Sequence, residues 1–156
     1  MNFIFDSSSL MYLGKIKILE KIKFISGKNY IPKKVYEEVI TKGFERKEPE
    51  IGYIENLIKN NIFTIEQGGI ILKDFPLLSE ADKEVLSVAK ETSSTAIIDE
   101  TYAKKIARSI SLSVHGSIYI IIKLLEKKLI TKIEAKNKID QIIKLGFYRQ
   151  ENILKL

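Results

Sequence analysis

Apolar residues along this chain fall into two alternating patterns: short continuous runs, and stripes at helical spacing. The runs Phe3-Ile4-Phe5 and Ala96-Ile97-Ile98 are too short for helices and read as buried strands, and each ends in an acid, Asp6 and Asp99. Beyond Asp6, Ser7 or Ser8 is placed to cap a helix through Leu10 and Leu13. Gly14 interrupts it, and Ile16, Leu19, Ile22 and Ile25 resume with helical spacing. Gly27-Lys28-Asn29 predicts a turn before a short strand near Tyr30-Ile31, and Pro32 opens a helix that runs to about Lys42 and ends at Gly43. Ile51, Ile54, Leu57 and Ile58 mark the next helix, stopped by Asn60-Asn61. Residues 62–67 and 70–73 flank Gly68-Gly69 in the pattern of a two-residue hairpin. Ser79 caps a further helix, followed by a strand at 95–99, a helix from about Glu100 to Ser109 and a short strand at 112–114. Two stripes close the chain. One holds Ile118, Ile121, Ile122 and Leu125; the other holds Ile133, Ile139, Ile142, Ile143 and Leu145, with Gly146 ending it.

Strands alternating with helices predict an α/β fold around a mostly parallel sheet, and 156 residues without repeat or linker predict a single domain over 1–156. In such a sheet ligands bind beyond the carboxyl ends of the strands. No apolar run approaches the roughly 18 residues that cross a bilayer, so no membrane partner is expected. The first residues lack a basic lead-in and reach Asp6 too early for a secretory signal, so a cytoplasmic location is expected.

The absence of cysteine and the single histidine, His115, exclude thiolate chemistry and multi-histidine zinc sites. A bound metal must take oxygen ligands, which favours Mg²⁺ or Mn²⁺. A net charge of +6 suits an anionic partner such as nucleic acid, or simply a lysine-rich solvated face. There is no Walker-type phosphate loop, dinucleotide fingerprint or G-x-S-x-G elbow.

The acids carry the chemistry. Asp82 falls within the stripe of Leu78, Ala81, Val85, Leu86 and Ala89, while Glu80, Lys83, Glu84, Ser87 and Lys90 lie on the other side. A carboxylate on an inward face is costly unless it is paired, bonded or metal-bound, although a first-turn acid also favours a helix N-terminus. Asp6 and Asp99 read equally as helix caps or as acids facing the crevice, and Glu100 shares that ambiguity with Asp99. Glu37 and Glu38 flank the stripe of Val35, Tyr36, Val39 and Ile40, and periodicity does not choose between them. His115 could contact a phosphate, or serve as a loop or capping residue.

Together these segments resemble the PIN-domain nuclease superfamily. The similarity lies in residues 3–8, in the P-x-x-V-x-x-E pattern from Pro32 to Glu38, in residues 78–89 around Asp82, and in Ile97-Ile98-Asp99-Glu100 with Ala103 and Ala107. The tail, from His115-Gly116-Ser117 to residues 145–148, is similar to the prokaryotic VapC-like subgroup. The chain has Ile98 where the family often has Thr or Ser, and Asp99-Glu100 where it often has Asp-Asp.

The resemblance implies a three-layer α/β/α domain and a metal-dependent endoribonuclease, in some relatives the toxin of a toxin–antitoxin pair. It selects Glu38 over Glu37 and makes Asp6, Glu38, Asp82 and Asp99 the catalytic, metal-holding set. One or two Mg²⁺ or Mn²⁺ ions would lower the pKa of water and offset charge on the scissile phosphate. Ser8 and Glu100 are supporting candidates. Implied partners are RNA, an antitoxin protein and a second copy of the chain, with the apolar N-terminal helices as one candidate interface. The rival expectations are a weakly catalytic PIN module that binds RNA or protein without cleaving, and a DNA nuclease or phosphate-ester hydrolase using the same acids.

Overall fold

The computed structural model describes residues 1–69 and 74–145. Five strands form one sheet: β1 Phe3–Phe5, β2 Asn29–Pro32, β3 Thr64–Glu66, β4 Thr95–Ile97 and β5 Val114–His115. Their order is β3-β2-β1-β4-β5, and every neighbouring pair is parallel. All residues of β1, β2 and β4 are buried. That burial is why these strands read as unbroken apolar runs: helices cover both faces of the sheet.

Seven α-helices accompany the strands among the described residues: α1 Ser7–Lys15, α2 Lys33–Glu45, α3 Glu50–Lys59, α4 Glu80–Thr92, α5 Thr101–Ser109, α6 Ser117–Glu126 and α7 Lys132–Lys144. The chain steps from β1 to β2 and β3 on one side, then returns past β1 to β4 and β5 on the other. Right-handed crossovers therefore place the helices after β1 and β2 on the opposite face from those after β3 and β4, giving three α/β/α layers. The direction reverses between β1 and β4. That switch point is where a parallel sheet opens a ligand crevice. Among the described residues no helix is long and apolar enough to cross a membrane.

Several local expectations change. Helix α1 stops at Lys15, and Lys17 adopts a left-handed φ of 57°. The apolar residues beyond it form a 3₁₀ segment, Leu19–Phe24, rather than a resumed α-helix. Their spacing of three, from Ile16 to Ile25, is the 3₁₀ period. Leu10, Leu13, Ile16, Leu19 and Ile22 lie in the core, so this face is spent within the chain. Gly43 does not end α2 but sits inside it. A Cβ there would lie 2.1 Å from Ile51 Cδ1, so the glycine is what lets α2 and α3 close.

Glu84 and Ser87, read as outward-facing, are buried. Glu84 Oε1 accepts from Lys34 N at 2.8 Å, capping an α2 N-terminus whose Pro32 has no side-chain hydrogen bond to offer. Gly68 lies against Glu84, Ser87 and Val88, and Gly69 N donates to Glu91 Oε1 at 2.9 Å. The glycine pair thus serves close passage over α4. Strand β3 pairs in parallel with β2, and the second arm of the expected hairpin, residues 70–73, lies outside the described residues. So do Gly146 and the tail residues 146–148. The last strand falls at Val114–His115 rather than 112–114.

Candidate active site at the carboxyl edge of the sheet

Asp6 directly follows β1, and Asp99 stands two residues beyond β4. The strands are neighbours, with Phe5 opposite Ile97. Both acids are therefore delivered to one edge, at the switch point. Asp6 is buried and caps α1, its Oδ1 accepting from Ser9 N at 2.8 Å. Ser9, not Ser8, supplies the hydroxyl here: its Oγ donates to Asp6 O at 3.1 Å and to Ile97 O at 2.8 Å, tying α1 to β4. Asp99 Oδ1 accepts from Ser117 N at 2.7 Å, and its Oδ2 accepts from Ser117 Oγ in a short hydrogen bond. Ser117 is fully buried at the start of α6.

Burial above all, with the Asp99 charge next and the Asp82 charge behind it, pushes Asp6 from 3.8 up to about 7, against the lowering pull of Ser9. Burial likewise raises Asp99 to about 6, opposed by the Ser117 hydrogen bonds and the Lys104 charge. Asp82 is half-buried in the first turn of α4, where Ser79 Oγ accepts from its N–H at 3.1 Å. Its pKa is also raised, by burial first and then by the charges of Glu100 and Glu38.

Glu38 is half-buried on α2, whereas Glu37 is exposed. Ser7 Oγ donates to Glu38 Oε2 at 3.1 Å and Lys42 Nζ to Oε1 at 3.3 Å, linking the start of α1 to α2. Glu100 is the N-cap of α5, accepting from Tyr102 N at 2.9 Å and Ala103 N at 2.6 Å. Of the Asp99-Glu100 pair, Asp99 faces Asp6, and Glu100 is exposed with its carboxylate committed to the helix.

The arrangement is a close pair with two outlying members. Asp6 feels the Asp99 charge and, less, that of Asp82; Asp82 feels Glu100 and Glu38, and Glu38 is held by its own hydrogen bonds. Among the described residues, no three acid or histidine side chains gather closely enough to enclose one ion. The donors still suit a hard divalent cation. They are all oxygens, and Mg²⁺ is commonly held by one or two carboxylates while keeping several waters. A buried and a half-buried carboxylate whose pKa values are both driven up are also groups that a positive charge would let ionise together.

Sequence reasoning did not single out Ser117 as a support for Asp99, or Lys104 as the cation whose charge acts on it. The only available signal was a serine following the last strand of an edge already marked by acids. Lys104 gave none, because its approach to Asp99 depends on how α5 leaves β4.

A sequence model described as a PIN domain matches residues 2–156. In three dimensions the fold is similar to a PilT N-terminus domain protein, SSO1118, from the hyperthermophilic archaeon Sulfolobus solfataricus P2. The TM-score is 0.55 at 13% sequence identity, over 81% of this chain and 95% of that chain. A domain of a functionally unknown protein from Methanocaldococcus jannaschii DSM 2661 matches with a TM-score of 0.49 and 23% identity, over 74% of this chain and 89% of that chain. No curated protein matches.

Proposed function

Because the chain belongs to the PIN-domain family, whose members are generally nucleases, we propose that it is a metal-dependent endoribonuclease hydrolysing RNA phosphodiester bonds. The observation that carries this reading is the pairing of Asp6 and Asp99 at the switch point, with Asp82 within electrostatic reach. Asp6, Asp99 and Asp82 would hold Mg²⁺ or Mn²⁺, and Glu38 would complete the set or orient the attacking water. When bound, the ion supplies Lewis acidity and offsets charge developing on the phosphate. The chain's own groups do the positioning. Ser117 holds Asp99 with two donors, Ser9 fixes Asp6 against the backbone of β4, and Ser7 ties Glu38 to the start of α1. Lys104, within electrostatic reach of Asp99 and Asp6, is placed to meet a phosphate oxygen.

RNA is the proposed substrate because of the net charge of +6 together with the nuclease family. A role as a toxin neutralised by a protein partner, and pairing of two copies, belong to the same proposal. Of the N-terminal apolar residues considered for such pairing, Leu10, Leu13, Ile16, Leu19 and Ile22 lie in the core and Phe24 is exposed.

The test is a panel of labelled single-stranded RNA, single-stranded DNA and a phosphomonoester, each with Mg²⁺ or Mn²⁺, using wild type and Asp82→Asn. Internal cleavage confined to RNA and lost in folded Asp82→Asn is expected. Cleavage of DNA or the monoester in preference to RNA would reassign the substrate. Salt-sensitive RNA binding without product under any metal would replace the enzyme with a binding module.

A further inference from the structure

Lys104 has a second environment besides the acids. It also lines a cavity of about 180 Å³, where Arg108, His115, Gly116, Tyr119 and Ile122 form much of the wall. The acidic edge and this cavity are therefore neighbours, joined by one side chain. Lys104 and Arg108 lie one turn apart on α5, where like charges repel. Neither forms a salt bridge among the described residues. Lys123 reaches the same quarter, its Nζ 5.4 Å from the Tyr119 ring centre, although it is also paired with Glu126 at 3.3 Å. The N-terminus of α6 begins here at Gly116, and its first amide, Ser117 N, is already taken by Asp99 Oδ1.

The cavity also has a flat wall. The exposed His115 ring stacks on Tyr119, with centroids 3.8 Å apart and planes 5° from parallel. Burial, then Arg108, Lys123 and Lys104, hold the imidazole below its usual pKa, so it is neutral at pH 7 and acts as a ring rather than a charge.

We propose that this cavity binds a second nucleotide of the RNA strand, next to the cleavage point, with its phosphate on Lys104 and Arg108 and its base against the His115–Tyr119 pair. The proposal rests on the ribonuclease reading for the identity of the strand. Its own grounds are two cations that form no salt bridge among the described residues, and the ring wall, set around one space. A phosphate there is held by charge and so is salt-sensitive, whereas the base is held by ring stacking, which salt hardly changes.

The experiment is a fluorescence anisotropy titration of labelled single-stranded RNA, without divalent ions, over a range of salt. The full-length chain carries Asp6→Asn throughout, so that nothing is cleaved. Adding Arg108→Ala, at an exposed position that the fold tolerates, is expected to weaken binding about tenfold and to reduce the salt slope by about one. Arg108→Lys should recover most of the affinity. His115→Ala should weaken binding at least about fivefold with the slope unchanged. Lys136→Ala, at an exposed lysine on α7, should leave affinity within about twofold. Unchanged affinity in both Arg108→Ala and His115→Ala would overturn the subsite, as would an equal loss from Lys136→Ala. If wild type cleaves RNA while those variants bind normally, the subsite falls and the nuclease stands. If the Arg108 and His115 pattern holds but wild type never cleaves, the subsite stands and the nuclease reading falls.

Discussion

Asp6 meets three demands at once. It ends the central strand, caps α1 through Ser9 N, and faces Asp99 in a buried space. The third conflicts with ionisation, and the conflict is measurable. The folded-state pKa is raised from 3.8 to about 7, so across that interval the folded protein binds more protons than the unfolded chain. Metal-free stability contributed by this group is therefore full below about pH 4 and is lost as pH rises toward 7 and above. Asp6→Asn keeps an efficient N-cap but carries no charge. Unfolding in excess chelator should show Asp6→Asn more stable than wild type at pH 8, by on the order of 2–4 kcal/mol, with the gap closing at pH 4. A pH-independent difference would mean that Asp6 is not strained by its neighbours. Ser117 acts in the opposite sense, since its hydrogen bonds lower Asp99. Ser117→Ala should slow cleavage at pH 7 and regain part of the loss at higher pH, whereas a uniform loss would indicate a purely steric role. Strands ending in acids made Asp6 and Asp99 visible in the sequence, and an apolar stripe with one intruder exposed Asp82. The choice of Glu38 over Glu37 depended on family resemblance, because the two lie equally far from the stripe that periodicity defines.

At the scale of elements, caps and breakers were legible wherever the cause was local. Ser79 stands at the start of α4, Pro32 just before α2, and Asn61 adopts a left-handed φ of 60° after α3. What sequence could not show was which helix face a neighbour covers. Helix α4 reads as half solvated, yet Glu84 and Ser87 are buried because Gly68 passes against them and because Glu84 caps another helix. Gly43 is the same lesson in reverse. A glycine near an expected helix end reads as a stop, but here it is the contact that lets α2 approach Ile51. Gly43→Ala should therefore destabilise, by about 1–3 kcal/mol in urea unfolding, since a methyl group would press into a packed isoleucine. A stabilising substitution, as expected for alanine in an open helix, would contradict that packing.

For the whole molecule, the decisive fact is the direction reversal between β1 and β4. Alternating patterns predicted a mostly parallel sheet, but strand order is a property of crossovers and is not written in any single segment. Once β1 and β4 are neighbours, acids separated by more than ninety residues in sequence share one edge, and α2 and α4 bring Glu38 and Asp82 toward it. The same topology sets the Lys104–Arg108 cavity beside the acids, so that negative and positive ground adjoin along one side of the sheet. That this edge is a metal-dependent ribonuclease centre is the central proposal. Its most direct test is cleavage of labelled single-stranded RNA by wild type with Mn²⁺, by wild type with excess chelator, and by folded Asp6→Asn with Mn²⁺. Internal cleavage in the first alone is the predicted result. Equal cleavage in all three would contradict the account, because neither the ion nor the buried acid at the switch point would then be needed.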